Sequence, residues 1–172
     1  MTASPKPLKI PVADARALKL MAFDVDGVLT DGRLYYGPEG EQLKVFHTLD
    51  GHGLKKLAAS GVTLALITGR DTPMVARRAR ELGIEHVIQG REDKGEALAE
   101  LATTLNVQPG ETGYMGDDEP DVSALRWARI TFAPANGHAC ARQAADHVTA
   151  ARGGEGAVRE VCDALLAAQG QP

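Results

Sequence analysis

Apolar positions along the chain fall into short continuous runs that alternate with longer stretches of helical periodicity. Leu18–Val25 (LKLMAFDV) and Val62–Ile67 (VTLALI) are apolar runs, as expected of buried parallel strands. Lys94–Leu105 instead carries leucines and alanines at helical spacing. The pattern predicts strands and helices in alternation.

Further predicted elements continue this alternation to the end of the chain. The additional helices are Gly53–Ala59, Thr72–Leu82, Val122–Ala128 and Gly156–Ala168. The additional strands are Val87–Gln89, Gly113–Met115, Ile130–Ala133 and His147–Thr149. Arg33–Tyr36 and Gln42–Phe46 flank a turn rich in Gly and Pro, which predicts a β-hairpin. We expect a Rossmann-like three-layer α/β sandwich with a mainly parallel sheet and a hairpin insertion after the first strand.

Bulk properties indicate one globular protein of ordinary composition. The length of 172 residues and the hydrophobic content of 44% fit a single domain over residues 1–172, with the polar, Pro-rich residues 1–16 as a loose leader. The net charge of −4 argues against a general nucleic-acid binder, and no run approaches the roughly 18 apolar residues of a membrane span. Cys140 and Cys162 have neither zinc-site spacing nor a disulfide framework, which predicts reduced thiols in a cytoplasmic protein.

Two carboxylates, Asp24 and Asp26, lie at the carboxyl end of the first predicted strand, and Gly27 closes the turn. Like charges at this range repel, so a bound cation is the expected compensation. A carboxylate beside a cation and a phosphate can act as a nucleophile. A solvated acidic turn is the alternative interpretation. A calcium loop of the EF-hand type is excluded, because its glycine stands two positions later than Gly27 does here.

Other strands also end in polar groups suited to phosphoryl transfer. Thr68 and Arg70 follow the second long apolar run, Lys94 follows the next strand, and GDDEPD, with Asp117, Asp118 and Asp121, follows the fourth. Parallel sheets bind ligands beyond the carboxyl ends of their strands, so these segments should meet at one edge. Acidic ligands for a hard cation, a hydroxyl and a lysine are the groups that phosphoryl transfer requires. The alternatives are helix-capping and solvated surface roles.

These segments resemble the four motifs of the haloacid dehalogenase-like phosphatases. DVDGVLTDG is similar to the first motif, ITGR places Thr68 in the second, Lys94 matches the third and GDDEPD the fourth. The resemblance covers roughly Leu18–Gly170. Within that superfamily, ALITGR and GGEGAVREVCDALLAAQG resemble the phosphatases of 3-deoxy-D-manno-octulosonate 8-phosphate (KDO 8-phosphate), which serve lipopolysaccharide biosynthesis.

The resemblance implies a role for each motif residue. Asp24 attacks phosphorus and becomes an aspartyl phosphate, while Asp26 protonates the leaving alcohol and then activates water. Mg²⁺ is held by Asp24, Asp117 and the backbone carbonyl of Asp26. Thr68 donates to a phosphate oxygen, and Lys94 offsets the charge on the phosphate and on Asp24.

The resemblance also implies supporting and substrate residues. Asp118 and Asp121 support the metal and its waters from outside its direct ligands. The residues matched to acid-sugar binding are His47, Thr48, Leu49, Asp50, Gly51, Lys55, Arg70 and Arg78.

Related phosphatases often carry a cap domain inserted after the first or second motif. The interval from Asp24 to Thr68 is mostly used by the hairpin and one helix, and the interval from Thr68 to Lys94 is shorter still, so neither holds a cap. A capless site is open to water unless a neighbouring subunit covers it. We therefore expect a homotetramer, as the resemblance implies, with the Asp31–Gly51 segment in the interface.

Two departures from the resembled group bear on the substrate. Leu49 in TLDGHG and Glu155 in GGEG stand where many relatives have arginine. Both changes remove positive charge from places associated with an anionic sugar acid. Hydrolysis of N-acylneuraminate 9-phosphate, a broader sugar phosphatase activity and a catalytically silent binding subunit are therefore alternatives, although retention of the full motif set argues against the last.

Overall fold

The computed structural model describes residues 8–171. Its strands are β1 (Leu20–Phe23), β2 (Tyr35–Gly37), β3 (Gly40–Leu43), β4 (Thr63–Ile67), β5 (His86–Ile88), β6 (Thr112–Met115), β7 (Ile130–Ala133) and β8 (His147–Val148). Its α-helices are α1 (Val12–Ala17), α2 (Thr48–Ala59), α3 (Pro73–Leu82), α4 (Lys94–Thr104), α5 (Val122–Trp127), α6 (Ala139–Ala144) and α7 (Ala157–Gln169). None of these helices is both long and apolar enough to cross a bilayer.

Six parallel strands form one sheet in the order β5-β4-β1-β6-β7-β8. The central strand β1 is fully buried because both of its faces are covered. Met21 and Phe23 pack in a core with α1, α2, α3 and α7, whereas Leu20 and Ala22 pack in a second core with α4, α5 and α6. The alternation of side chains along β1 thus divides the interior in two and confirms the three-layer α/β prediction.

The hairpin of β2 and β3 forms a separate antiparallel sheet. In the described chain, the hairpin and α2 are the only regular elements between β1 and β4. Six large apolar side chains of this region are exposed: Leu34, Tyr35, Tyr36, Leu43, Val45 and Leu49. The hairpin therefore presents an apolar surface that its own chain does not cover.

The N-terminal region differs from the sequence prediction. The proposed loose leader, residues 1–16, is wrong for its later part, because Val12–Ala17 forms α1. Ala15 is fully buried, and Arg129 forms a 2.9 Å ion pair with Asp14. Residues 1–7 of the leader lie outside the described part. Helix α1 has only 6 residues and one buried alanine, so it is too short to show helical periodicity of apolar residues in the sequence.

Helix boundaries also differ from the prediction. Helix α2 begins at Thr48 and not at Gly53, with His47 Nδ1 accepting a hydrogen bond from the backbone N–H of Leu49 at 3.2 Å. The glycines of TLDGHG lower the helix propensity of this segment, but packing against α7 stabilises it as the first part of α2. A Cβ at Gly53 would lie 3.2 Å from Arg159 Cα, so glycine permits this close approach. The short helix α6 has no counterpart in the sequence prediction.

Candidate active site

A pocket of about 300 Å³ opens at the carboxyl ends of β1, β4 and β6. The structure brings all of the predicted catalytic residues together there. The pocket is lined by Asp24, Asp26, Gly32, Thr68, Gly69, Arg70, Glu92, Lys94, Asp117, Asp118, Pro120 and Asp121. This is the sheet edge that the parallel-strand rule predicts.

Lys94, the first residue of α4, is the buried cation of the pocket. Its Nζ lies 2.8 Å from Asp24 Oδ1 and 2.8 Å from Asp121 Oδ1. Burial opposes the charged form of Lys94, but the two carboxylates together raise its pKa above the usual value. The lysine therefore keeps its positive charge next to the predicted nucleophile.

Asp24 and Asp117 carry more negative charge than one lysine can balance. Burial and the Asp121 carboxylate raise the pKa of Asp24 well above its ordinary value, against the effect of Lys94. Burial, and then the charge of Asp121, raise the pKa of Asp117 to about 6. Donor oxygens of these three aspartates lie within 4.8 Å of one another. Such crowding fits a hard divalent cation, which would favour the ionised form of Asp24 and Asp117.

Gly27 allows Asp117 to reach this cluster. Its φ of +91° lies in the left-handed region, and a Cβ there would stand 2.0 Å from Asp117 Oδ2. Any larger residue at position 27 would displace the carboxylate from the predicted metal site.

Asp121 organises the loop rather than presenting a free ligand atom. Its Oδ1 accepts hydrogen bonds from Lys94 Nζ at 2.8 Å and Tyr114 Oη at 2.7 Å. Its Oδ2 accepts from the backbone N–H groups of Asp117 at 2.9 Å and Asp118 at 3.1 Å. With both oxygens engaged twice, Asp121 fixes the position of Asp117, and its predicted support of a metal stays a prediction. The Asp118 carboxylate instead accepts from the backbone N–H of Glu119 at 2.8 Å.

Thr68 follows β4 and is 1% exposed, although it lines the pocket. Its backbone N–H donates to Ile88 O at 2.9 Å, and its Oγ1 accepts from the backbone N–H of Arg70 at 3.4 Å. The latter contact uses a lone pair of Oγ1 and not its proton. The Thr68 hydroxyl can thus donate to an anion in the pocket.

Lys44 is a site residue that sequence reasoning missed. It follows β3, its side chain is 1% exposed, and its Nζ contacts Asp26 Oδ1 and lies 3.0 Å from Glu41 Oε1. On the other side of Asp26, Arg70 Nε lies 3.8 Å from Oδ2, and Arg70 Nη2 is 2.9 Å from Tyr36 Oη. The hairpin thus contacts the predicted acid–base residue through Lys44. The only sequence signal was the Glu41–Lys44 pair at the end of a hairpin strand.

The predicted substrate residues divide into two groups. Arg70 lines the catalytic pocket, whereas the His47–Gly51 segment and Arg78 meet at the junction of the hairpin, α2 and α3. The Arg78 guanidinium lies 5.7 Å from the centre of the Phe46 ring, and a Cβ at Gly51 would collide with Arg78 Nη2. Thr48, Leu49 and Lys55 are at least partly exposed.

Asp50 is directed toward helix α7 and not toward the pocket. Its Oδ1 accepts a hydrogen bond from the backbone N–H of Arg159 at 2.8 Å, in the first turn of that helix. Burial raises the pKa of Asp50, although hydrogen bonds from the backbone of Arg159 and Gly156 favour its charged form. In this chain Asp50 therefore anchors α7, and its predicted contact with substrate stays a prediction.

The loop that precedes α7 rests on the catalytic loop. A Cβ at Gly153 would lie 1.7 Å from the carbonyl oxygen of Gly27, so only glycine fits there. The backbone N–H of Gly154 donates to Val28 O at 3.0 Å. Glu155 is exposed and lies 3.8 Å from Arg152. The GGEG segment thus supports the loop that carries Asp24 and Asp26.

Comparisons with known proteins show what this chain is similar to. A family model for haloacid dehalogenase-like hydrolases matches residues 34–129. The chain is 43% identical to the 3-deoxy-D-manno-octulosonate 8-phosphate phosphatase of Yersinia pestis over 92% of this chain and 88% of the relative. A crystal structure of the Moraxella catarrhalis phosphatase, in complex with magnesium, phosphate and KDO, superposes with a TM-score of 0.90 at 46% identity, covering 92% of this chain and 91% of that one. A cobalt-bound Haemophilus influenzae phosphatase gives a TM-score of 0.89 at 39% identity, covering 91% and 92%. The chain belongs to the haloacid dehalogenase-like hydrolases.

Proposed function

We propose that this protein is a Mg²⁺-dependent phosphatase that hydrolyses KDO 8-phosphate to KDO and phosphate in lipopolysaccharide biosynthesis. The observation that carries the proposal is the buried Asp24, held 2.8 Å from Lys94 Nζ beside Asp117. The relatives from Yersinia pestis and Moraxella catarrhalis, both named for this substrate, support the choice of sugar.

Asp24 is the nucleophile of the proposed reaction. Its carboxylate oxygen forms a bond to phosphorus as the bond from phosphorus to the sugar oxygen breaks, which gives an aspartyl phosphate and an alcohol. Asp26 donates its proton to the leaving oxygen. A water molecule then attacks phosphorus while Asp26 takes a proton from it. The bond between phosphorus and the Asp24 oxygen breaks, which releases inorganic phosphate and restores the Asp24 carboxylate.

The remaining pocket residues stabilise the transferring phosphoryl group. Thr68 donates to one phosphoryl oxygen, and Lys94 balances charge on the phosphoryl group and on Asp24. Asp24, Asp117 and the backbone carbonyl of Asp26 would hold Mg²⁺. The cation would supply Lewis-acid stabilisation of the phosphoryl charge.

Lys44 holds the Asp26 carboxylate in the proposed mechanism. A buried ammonium that is paired with Asp26 and Glu41 fixes the Asp26 side chain between the hairpin and Arg70. We assign Lys44 as a positioning residue because it acts on the reacting atoms through Asp26.

We further propose a cytoplasmic homotetramer in which the hairpin region forms the interface. The exposed apolar side chains of the hairpin region favour burial against a second copy. Within the second group of predicted substrate residues, Thr48 and Leu49 are exposed and lie outside the pocket of their own chain, so a neighbouring copy is where they would meet substrate. The free thiols of Cys140 and Cys162 accord with a reducing compartment.

A second candidate, hydrolysis of another phosphorylated acid sugar, is favoured by one observation. Leu49 is neutral and Glu155 is negatively charged, so neither of these exposed positions supplies a cation to an anionic sugar. The test is Mg²⁺-dependent phosphate release from KDO 8-phosphate, N-acetylneuraminate 9-phosphate, hexose 6-phosphates and mononucleotides, with Asp24→Asn as the blank. A strong preference for KDO 8-phosphate is expected. A preference for another phosphate ester would support the phosphatase mechanism but reject KDO 8-phosphate as the substrate. No activity above the Asp24→Asn blank would reject both the mechanism and the substrate.

A further inference from the structure

A cluster of three different metal-ligating side chains extends outward from the edge of the pocket, where Asp118 lines it, to His138 and Cys140, which have no role in the catalytic proposal. Asp118 follows β6, whereas His138 and Cys140 stand at the start of α6. One donor atom from each residue lies within 4.8 Å of the other two. Asp118 stands 20 positions before His138, whereas His138 and Cys140 are neighbours in one segment, so the sequence shows no metal-site spacing motif.

The donor atoms of the cluster lie close together and are already joined by hydrogen bonds. His138 Nδ1 is hydrogen-bonded to Cys140 Sγ at 3.0 Å, accepts from the backbone N–H of Cys140 at 3.4 Å as the cap of α6, and lies 3.8 Å from Asp118 Oδ1. At ordinary zinc bond lengths, tetrahedral nitrogen and sulfur ligands stand about 3.5 Å apart, and nitrogen and oxygen ligands about 3.3 Å apart. An ion would therefore replace the His138–Cys140 hydrogen bond, with His138 Nδ1 moving about 0.5 Å away from Cys140 Sγ and a similar distance toward Asp118 Oδ1. Small rotations of exposed side chains would bring all three atoms to one ion, because the His138 and Asp118 side chains are 67% and 60% exposed.

The donor set selects the kind of ion. Thiolate and imidazole ligands favour soft or borderline divalent cations, whereas Mg²⁺ prefers oxygen ligands. The cluster around Asp24 and Asp117 offers only carboxylate oxygens, so the two sites differ in chemical preference. We propose that Asp118, His138 and Cys140 form a second cation site, which takes Zn²⁺ or a similar soft divalent ion.

Ion binding there would tie two loops of the active site together. The backbone N–H of His138 already donates to Asp117 O at 2.7 Å, and Asp118 is the next residue after Asp117. An ion held by Asp118 and His138 would brace the loop that carries Asp117. Binding would release the Cys140 proton to solvent.

Co²⁺ titration of the full chain in excess Mg²⁺ tests the proposal. Mg²⁺ fills the oxygen-only cluster, and a near-ultraviolet thiolate-to-cobalt charge-transfer band reports ligation by cysteine alone. We expect this band to saturate at one equivalent, to disappear on addition of Zn²⁺ and to be absent in Cys140→Ser. His138→Asn keeps a polar side chain at the helix start and should weaken binding by about tenfold or more.

Matched variants separate this site from the catalytic one. Cys162→Ala removes the fully buried thiol, and Asp24→Asn removes the proposed nucleophile; both should keep the band. In excess Mg²⁺, Zn²⁺ should raise the midpoint of thermal unfolding of the wild type but not of Cys140→Ser. Absence of the band, its persistence in Cys140→Ser, or indifference to His138→Asn would overturn the proposal, and none of these outcomes bears on the phosphatase activity.

Discussion

Lys44 Nζ is ion-paired with Asp26 Oδ1, although Asp26 precedes the hairpin in the sequence and Lys44 follows it. The lysine side chain is almost completely buried, which is tolerated because carboxylates of Asp26 and Glu41 flank it. In the proposed mechanism, this pairing gives the hairpin a part in positioning the acid–base residue in addition to its proposed place in the interface.

Lys44→Met should lower kcat more than it changes KM. Asp26 would lose its fixed position, and general acid–base catalysis contributes about 10²–10⁴-fold, so we expect a loss of about 10–100-fold. Both protonation of the alcohol and activation of water need Asp26, so the fraction of aspartyl phosphate during turnover should also change. Rapid-quench measurement of phosphoenzyme and steady-state kinetics check this.

Lys44→Arg and Lys19→Met are the controls for that experiment. Arginine keeps the charge and should restore part of kcat. Lys19 lies at the opposite end of β1, where it pairs with Glu111 at 2.6 Å, and its removal should leave kcat unchanged. Wild-type kcat in Lys44→Met would contradict the positioning role.

Asp24→Asn should abolish turnover while the fold survives. The amide cannot form the acyl phosphate, and loss of about 10³-fold or more is expected. Removal of one crowded negative charge should not lower the midpoint of thermal unfolding without Mg²⁺, because burial and Asp121 already disfavour the ionised form. Phosphate release and thermal unfolding are the measurements, and the exposed Asp71→Asn is the matched control. Near-normal turnover would reject the covalent mechanism.

Mg²⁺ affinity should weaken as the pH falls through about 6, the pKa of Asp117. Asp24 and Asp117 must both lose protons to bind the cation, so each contributes up to about tenfold per pH unit below its pKa. Isothermal titration at several pH values measures this. A Mg²⁺ affinity that does not change with pH would contradict it.

Without Mg²⁺, the raised pKa of Asp117 gives the opposite trend in stability. The folded state binds this proton more tightly than the unfolded state, so the free energy of unfolding should fall as the pH rises from about 4 to 6. Asp117→Asn removes that dependence, so the difference between wild type and variant isolates it. Urea unfolding in a chelator is the measurement, and parallel pH profiles of the two proteins would refute the expectation.

Leu43→Asp should reduce the mass of the assembly that the protein forms in solution. Leu43 is 52% exposed on the hairpin, and a charge there would oppose burial of the apolar surface in the proposed interface. Sedimentation velocity checks this prediction. Val12→Asp provides the control, because Val12 is similarly exposed but lies on α1. A monomeric wild type would reject the interface outright.

Gly153→Ala should destabilise the protein by about 1–3 kcal/mol and lower activity, because the new methyl group meets the backbone oxygen of Gly27. Gly110→Ala is the matched control, since nothing lies within 4 Å of the place its methyl group would occupy, and it should be neutral or stabilising by up to about 1 kcal/mol. Urea unfolding and phosphate release measure both. Equal effects in the two variants would contradict the close contact.

The layer architecture and the meeting of the four motifs could be predicted because both rest on local signals. Apolar runs such as Val62–Ile67 identify buried strands, and a parallel sheet necessarily gathers the residues that follow its strands. Asp24, Thr68, Lys94 and Asp117 converge for that reason.

Contacts set by docking of one element on another could not be predicted in this way. Lys44 is buried only because the hairpin folds back over Asp26, and Asp50 faces Arg159 only because α2 packs on α7. His138 and Asp118 approach each other through two loops whose paths have no periodic signal. Helix α1 escapes prediction because its one buried alanine carries no pattern.

The contact between Gly153 and Gly27 has a consequence for synthesis of the protein on the ribosome. The loop that bears Asp24 and Asp26 is translated early, but the segment that supports it follows more than a hundred residues later; the Asp50–Arg159 hydrogen bond alone joins residues 109 positions apart. Domains fold as units as they emerge. A nascent chain in which all four motifs have been synthesised, but residues 153–169 have not, should therefore be incompletely folded and catalytically inactive.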